Sequence, residues 1–246
     1  MGANASSAGL ASGEDGATVL PGGGLNLGYV DGTTNLLGIE LLEIGALAQA
    51  QRLQSETSDP DAARRAAEIE TTLKRLTRLS EKLMQLARAE GGRLRTGHPA
   101  DLRPILRMVA EDVGRAEGRG RVALELPQAD VLSDMDPDAF AILARNLIEN
   151  ALKHGARETP VSVTLSPAGR LGVINEGAVI APETLARLTG RFERADGSGE
   201  GSGLGLAIVR TIAERADCVL SLTSPAPGRK GGLEAAVDLP AGPATA

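Results

Sequence analysis

The sequence predicts an α+β protein: a two-layer α/β sandwich, with a mixed sheet covered by helices on one face, preceded by an antiparallel helical hairpin. Three observations lead to this fold class. An apolar repeat with alternating steps of three and four runs over residues 69–86, which is typical of a helix that packs along a seam. After residue 98, about five short segments alternate apolar and polar residues, as half-buried strands do. Helical patterns lie between these segments, which favours a layered α/β domain.

Residues 1–35 are predicted to be a disordered tail rich in Gly, Ala and Ser. They show no apolar periodicity and include the run Gly22-Gly23-Gly24. Residues 1–51 contain five acidic residues and no Lys or Arg, so they differ in charge from the rest of this chain of 246 residues. No apolar run approaches the roughly 20 residues that a membrane-spanning helix needs. As the sequence stands, we expect a cytoplasmic chain with no membrane contact of its own.

Residues 36–91 are predicted to form the helical hairpin. The first helix spans about residues 36–54, and Ser58-Asp59-Pro60 supplies a stop, a cap and a Pro at the first position of the second helix. The apolar seam of the second helix consists of Ile69, Thr72, Leu76, Leu79, Leu83 and Leu86. Because one chain does not cover all of these seams, we expect a homodimer in which two hairpins form a four-helix bundle. A hairpin that folds against its own globular domain is the alternative.

Residues 98–241 are predicted to form the α/β domain. Helices are expected over about residues 101–117, 136–154, from residue 182, and from the end of a Gly-rich stretch (197–205) to about 215. Strands are expected over residues 122–126, 161–166, 170–175, 218–223 and 233–239.

The composition argues against several kinds of function. Aromatic residues make up only 1% of the chain, which leaves almost no stacking platform for single-stranded nucleic acid. The net charge of −6 is the wrong sign for a general nucleic-acid binder. The single Cys218 cannot form an internal disulfide or a thiolate zinc site, and His98 and His154 are too few for a multi-histidine metal centre.

A polar stripe marks the predicted helix 136–154. Asn146, Asn150 and Lys153 follow one another at steps of four and three, so they share one face beside the apolar stripe. Asn is a mediocre helix former, so two of them in mid-helix suggest a use for their amides. A solvated polar face would show the same pattern.

A glycine-rich segment leads directly into an apolar helix. The run Gly201-Ser202-Gly203-Leu204-Gly205-Leu206 lets the backbone approach a ligand, and the free N–H groups of the helix N-terminus attract phosphate. It lacks the Lys of a Walker loop and the buried strand that precedes a dinucleotide fingerprint. A flexible loop before a helix would read the same way.

The end of the strand 170–175 is a third candidate element. Asn175 offers a donor and an acceptor to a base edge, Gly177 leaves room, and Ile180 provides an apolar wall. An ordinary Asx turn at a strand end is the alternative.

Together the three elements resemble the ATP-binding domain of sensor histidine kinases, within the superfamily of gyrase, Hsp90 and MutL ATPases. The N box of that family is similar to RNLIENALKHG, and its first glycine box to NEGAVIAPETLARL. The F box is similar to RFER, and the second glycine box to GSGLGLAIV. The predicted seam helix ends in LMQLARAEGG and resembles the second helix of the dimerisation and phosphotransfer hairpin. The resemblance therefore covers about residues 55–240.

The resemblance implies ATP and Mg²⁺ as cofactors and gives roles to residues of the polar stripe. Asn150 would bind Mg²⁺ and, with Lys153, serve catalysis. Asn146 and Lys153 would face the phosphates, and His154 would lie beside them.

The resemblance also assigns the base and lid contacts. Asn175 stands where the family usually has an Asp that bonds the adenine amino group, which predicts roughly fivefold weaker binding. Val179 stands where a second Gly is usual, and Arg194 is the candidate for the γ-phosphate. The other residues implied in nucleotide binding are Gly177, Ile180, Phe192, Gly201, Gly203, Leu204, Gly205 and Leu206.

The family's partners are implied as well. They are a second copy of the chain through the hairpin and the receiver domain of a response regulator, which takes the phosphoryl group from a histidine. Members of the family are usually anchored in the inner membrane.

The phosphoacceptor histidine of the family is missing here. The family carries it in a run like HELRTPL, whereas residues 36–48 read LLGIELLEIGALA. His98 lies in the expected linker and His154 in the expected nucleotide site. Two interpretations follow: a degenerate kinase that binds ATP and works as a dimerising scaffold or on a partner's histidine, or a first stretch of about 45 residues that is out of frame with the rest.

Overall fold

The computed structural model describes residues 17–19, 25–27, 45–118, 120–190 and 203–240. The chain divides into two units, residues 1–78 and 79–246. Helix α2 (Pro60–Gly91) contributes its first part to one unit and its last part to the other.

In the first unit, two short strands, β1 (Ala17–Val19) and β2 (Leu25–Leu27), pair in antiparallel fashion. This ladder was not predicted within the proposed tail, and the rest of residues 1–35 lies outside the described part. Residues 45–56 form helix α1, while residues 36–44 of the predicted first helix are not among those described.

The start of α2 follows the predicted cap. Pro60 is its first residue, and the Asp59 carboxylate accepts a hydrogen bond from the backbone N–H of Asp61 at 2.9 Å.

Ile69 and Leu76 of the predicted seam are exposed by about half in the single chain, at 51% and 50%. Apolar seam residues that stay half exposed in a single chain are expected where the seam has no partner helix.

The second unit contains a five-stranded sheet with strand order β4-β6-β7-β9-β8. Its strands are β4 (Val122–Glu125), β6 (Val161–Leu165), β7 (Arg170–Asn175), β8 (Val219–Thr223) and β9 (Leu233–Asp238). β4 and β6 are parallel and the other neighbours are antiparallel, so the sheet is mixed. These five strands are the ones that the alternating segments predicted.

Helices α3 (Arg103–Val113), α4 (Pro137–His154) and α6 (Gly205–Arg215) of this unit pack on the sheet and on one another. A π-helical turn, Gly114–Gly118, follows α3, and the short helix α5 (Pro182–Arg187) has no buried residue. In β6 the residues Val161, Val163 and Leu165 are buried while those between them are only half-buried, so one sheet face carries the core. The predicted two-layer arrangement is confirmed.

A second, two-stranded ladder was not predicted. β3 (Arg95–Asp101) pairs antiparallel with β5 (Leu132–Met135). The sequence of β3, RTGHPAD, has no apolar alternation and includes Gly and Pro, so its pairing depends on tertiary contacts. His98 was expected in a linker, and the structure places it in this strand instead.

Arg95 anchors the β3 ladder. Its guanidinium donates two hydrogen bonds to Asp134 Oδ2 and Oδ1 at 2.9 and 3.1 Å, and another to Asp217 at 3.1 Å. Asp134 is 5% exposed, so its charge requires this partner. The hydrogen bonds from Arg95 to these carboxylates raise the pKa of the guanidinium.

Helix α4 begins at a strong N-cap. The Asp136 carboxylate accepts a hydrogen bond from the backbone N–H of Ala139 at 2.9 Å, and Pro137 occupies the first helical position.

We expect Asp136→Ala to lower the free energy of unfolding by about 1 kcal/mol, or Tm by about 2–4 °C. Thermal unfolding followed by circular dichroism measures this loss. Asp136→Asn retains a capping oxygen and should lose much less; an equal loss in both variants would contradict the capping role.

None of the helices in the described part of the chain is both long enough and apolar enough to cross a bilayer.

Candidate functional site

The polar stripe of α4 contains side chains in three different environments. Asn146 is only 1% exposed, Asn150 is half-buried, and Lys153 is exposed. Within the described residues the Asn150 side chain makes no hydrogen bond, so its amide oxygen is available to a ligand. The adjacent face of the helix supplies the core, with Phe140, Leu143, Leu147 and Ile148 each at most 1% exposed.

The N-terminus of α6 lies beside Asn146. Leu204 is fully buried, and a methyl group added at Gly205 would lie 3.6 Å from Asn146 Oδ1. Gly203 has φ +67°, a conformation that favours glycine. The first N–H groups of a helix have no partner within the helix, and the helix dipole adds positive potential there. The end of the predicted glycine cradle, at Gly205, therefore meets the amide stripe at Asn146.

The end of β7 lies beside the end of α4. A methyl group added at Gly155 would lie 3.0 Å from Asn175 Cβ, and one added at Gly177 would lie 3.8 Å from the Asn175 amide nitrogen. Asn175 is 6% exposed, and its amide donates a hydrogen bond to the Glu176 carbonyl at 3.2 Å. Among the described residues no donor reaches Asn175 Oδ1, which leaves this acceptor for a ligand.

A loop between β8 and β9 holds the segment after β7. The Gly232 N–H donates to the Gly177 carbonyl at 2.8 Å, and the Ile180 N–H donates to Ser224 Oγ at 2.9 Å. Ser224 Oγ in turn donates to the Gly232 carbonyl at 2.7 Å. Val179 remains 56% exposed. The role of this loop was not predicted, because runs of Ser, Pro and Gly are typical of any turn.

Two residues of α2 contact the stripe, and neither was predicted. Lys82 Nζ donates to Asn146 Oδ1 and to Glu149 Oε2, both at 2.7 Å. The Asn146 amide nitrogen donates to Gln85 Oε1 at 3.0 Å and to the Ile142 carbonyl at 2.8 Å. Both N–H groups of Asn146 are therefore used within the protein.

Asn150 is a suitable protein ligand for a Mg²⁺ ion whose other ligands come from a nucleotide's phosphates. The described residues contain no group of three or more His, Cys, Asp and Glu side chains able to hold a metal by themselves. Mg²⁺ usually takes one or two oxygen ligands from the protein and completes its shell with phosphate and water. A single amide oxygen, one helical turn after the Asn146 that Gly205 approaches, matches this requirement.

The remaining predicted residues are placed as follows. His154 ends α4 and is exposed, and Leu206 is buried in the first turn of α6. Phe192, Arg194 and Gly201 lie outside the described residues. Cys218 is buried, and burial raises the pKa of its thiol to about 12, so it does not serve as a nucleophile near neutral pH.

These features define a class of protein. An amide-bearing helix, a glycine-led helix N-terminus and a buried strand end converge on one side of an α/β sandwich, as in a nucleotide-binding ATPase domain. Residues 135–243 match the family of histidine kinase-, DNA gyrase B- and HSP90-like ATPases.

The relatives narrow the family further. The sensor protein QseC of Salmonella typhi is 32% identical over 194 residues, which cover 77% of this chain and 42% of that protein. The sensor histidine kinase TrcS of Mycobacterium tuberculosis is 29% identical over 197 residues, covering 76% of this chain and 39% of that protein. The chain belongs to the sensor histidine kinase family, and it spans about two fifths of the length of these curated relatives.

A solved structure shares the fold. Full-length ShkA, crystallised in complex with AMPPNP, has a TM-score of 0.63 and 23% identity; the match covers 87% of this chain and 46% of that one. The shared fold confirms the fold class expected from the sequence, and the family expected from the sequence is confirmed by the domain match and the curated relatives.

Proposed function

We propose that this chain is the dimerisation and catalytic portion of a sensor histidine kinase. It binds ATP with Mg²⁺, and the γ-phosphoryl group passes to a histidine and then to an aspartate of a response regulator. The observation that carries this proposal is the convergence on α4, where Gly205 approaches Asn146 and Gly155 approaches Asn175. The AMPPNP bound by ShkA supports a nucleotide of this class.

The site residues would bind different parts of the nucleotide. Asn150 would hold Mg²⁺ through its amide oxygen, and the N-terminus of α6 would attract the phosphates. Lys153 would add a fixed positive charge, and bound Mg²⁺ would neutralise charge on the transferred group. Asn175 Oδ1 would accept a hydrogen bond from the adenine amino group, with Gly177 leaving room for the base.

The partners follow from the same family. The half-exposed Ile69 and Leu76 fit a hairpin that pairs with a second copy of the chain, and a response regulator receiver domain would take the phosphoryl group. Sedimentation of the full chain tests the homodimer, because Leu76→Glu would place a charge in the proposed seam and should give a monomer.

A second candidate is an ATP-binding scaffold without autophosphorylation. It is favoured by the sequence of residues 36–48, which contains no histidine, and by the exposure of His98 on β3, where nothing marks it as an acceptor. Incubation with γ-labelled ATP separates the two candidates. Acid-labile label on the protein supports the kinase, whereas nucleotide binding without label supports the scaffold. Absence of any nucleotide binding would contradict both.

Asn175→Asp should tighten ATP binding by roughly fivefold. A carboxylate gives the adenine amino group a charge-assisted hydrogen bond in place of a neutral one, a difference of about 1 kcal/mol. Calorimetric titration with AMPPNP measures the change. The affinity for a guanine nucleotide should not rise, because its carbonyl at the same position accepts and does not donate. Unchanged or weaker AMPPNP binding would contradict the role of Asn175.

A further inference from the structure

Residues 79–91 of α2 lie against α4 at the residue that we place in the phosphate site. Both N–H groups of the Asn146 amide are occupied, one by Gln85 of α2 and one by the Ile142 carbonyl of its own helix. Asn146 Oδ1 accepts a hydrogen bond from Lys82. A nucleotide phosphate, which only accepts hydrogen bonds, finds no free N–H on this side chain while α2 is docked.

The positive charge of Lys82 is already paired with a carboxylate of α4. Its ammonium lies 2.7 Å from Glu149 Oε2, and the two side chains are 19% and 25% exposed. Within the described residues, Arg145 is the only other cation that pairs with the Glu149 carboxylate, with its guanidinium 3.9 Å from Oε1. Moving Lys82 onto a triphosphate would therefore leave the Glu149 charge beside a polyanion with little compensation. This favours competition between Lys82 and phosphate over a shared site.

The docking of residues 79–91 is held by few apolar side chains. Leu86 and Ala89 are buried in the core, at 6% and 3% exposure, whereas Leu83 is 45% exposed and Leu79 is half-buried. A segment with a small apolar contact and a polar cluster can open locally at a modest free-energy cost.

We propose that Lys82 and Gln85 form a latch on Asn146, so that docking of residues 79–91 and nucleotide binding oppose each other. The inference rests on the proposed function, because it needs Asn146 to contact phosphate. Thermodynamic linkage makes the effect mutual: the docked latch lowers nucleotide affinity, and bound nucleotide releases the latch by the same factor.

Charge-conserving variants test the latch. The double variant Lys82→Met/Glu149→Gln removes the ion pair, keeps the apolar stem of the lysine and leaves the net charge unchanged. We expect it to bind AMPPNP about tenfold more tightly, and Gln85→Met to bind it several-fold more tightly, because the competing hydrogen bonds are lost. The matched control is Lys74→Met/Glu70→Gln, which removes an ion pair of the same 2.7 Å length within α2 and should leave the affinity unchanged.

A measurement on the unmodified chain complements the variants. Hydrogen exchange of the backbone amides of residues 79–91 should become faster when AMPPNP is added. Unchanged or slower exchange, or unchanged or weaker AMPPNP binding by Lys82→Met/Glu149→Gln, would overturn the latch while leaving nucleotide binding in place. If neither the unmodified chain nor any variant binds AMPPNP, the proposed function fails, and the latch fails with it.

Discussion

Asn150→Ala is expected to abolish Mg²⁺-dependent nucleotide binding, with a loss of affinity of at least about 100-fold. Asn150 is the half-buried amide of the stripe. Its side chain makes no hydrogen bond to another described residue. Its removal takes away the protein ligand of a hard cation and leaves the triphosphate charge less compensated. Titration with AMPPNP, in the presence of Mg²⁺ and of a chelator, measures the effect.

Two controls separate a lost ligand from a damaged fold. Ala is a better helix former than Asn, so the variant should unfold at the same temperature or slightly higher. Asn150→Asp retains an oxygen ligand and should keep Mg²⁺-dependent binding. If Asn150→Ala binds nucleotide as the unmodified chain does, with and without Mg²⁺, the assignment of the metal site is wrong.

Gly232→Ala should destabilise the second unit by about 3–5 kcal/mol and lower its Tm by roughly 10 °C. Gly232 has φ +81°, which is unfavourable for Ala, and the new methyl group would lie 2.1 Å from the Asn175 carbonyl oxygen. That oxygen belongs to the backbone of β7, so it moves only if the strand end moves. Asn175 would move with it, and nucleotide affinity should fall as well.

Gly228→Ala is the matched control for this prediction. Gly228 lies in the same loop with φ +71°, but nothing lies within 4 Å of an added methyl group. Its substitution should cost only the left-handed conformation, about 1 kcal/mol, and leave nucleotide binding unchanged. Thermal unfolding of both variants measures the contrast, and equal losses would refute the proposed close contact.

Local patterns predicted the parts of this protein that local forces determine. The five strands of the sheet, the cap of α4 and the start of α6 each follow from side-chain alternation, a capping carboxylate or a glycine run. The positions of Asn146 and Asn175 near other motifs were implied by the family resemblance, and the structure brings them to those motifs.

Long-range polar contacts were not predictable in the same way. β3 carries no strand pattern of its own, and its ladder is anchored by Arg95 with Asp134 and Asp217, which are distant in sequence. Lys82 and Gln85 look like ordinary solvated residues between seam positions, so nothing in their spacing indicates that they reach Asn146. Such contacts depend on how the helices and strands pack against one another, and the periodicity of a single sequence does not indicate this packing.

Helix α2 contains no Gly or Pro between residues 61 and 90, so nothing in its sequence provides a hinge. Within residues 79–91 the rise of 1.5 Å per residue places Lys82 about 10 Å along the axis from Ala89. Because this segment has no hinge, Lys82, Gln85 and the buried Leu86 and Ala89 move as one body when it undocks. The ion pair of Lys82 with Glu149 and the hydrogen bond of Asn146 to Gln85 should then break together, so undocking is a single cooperative event.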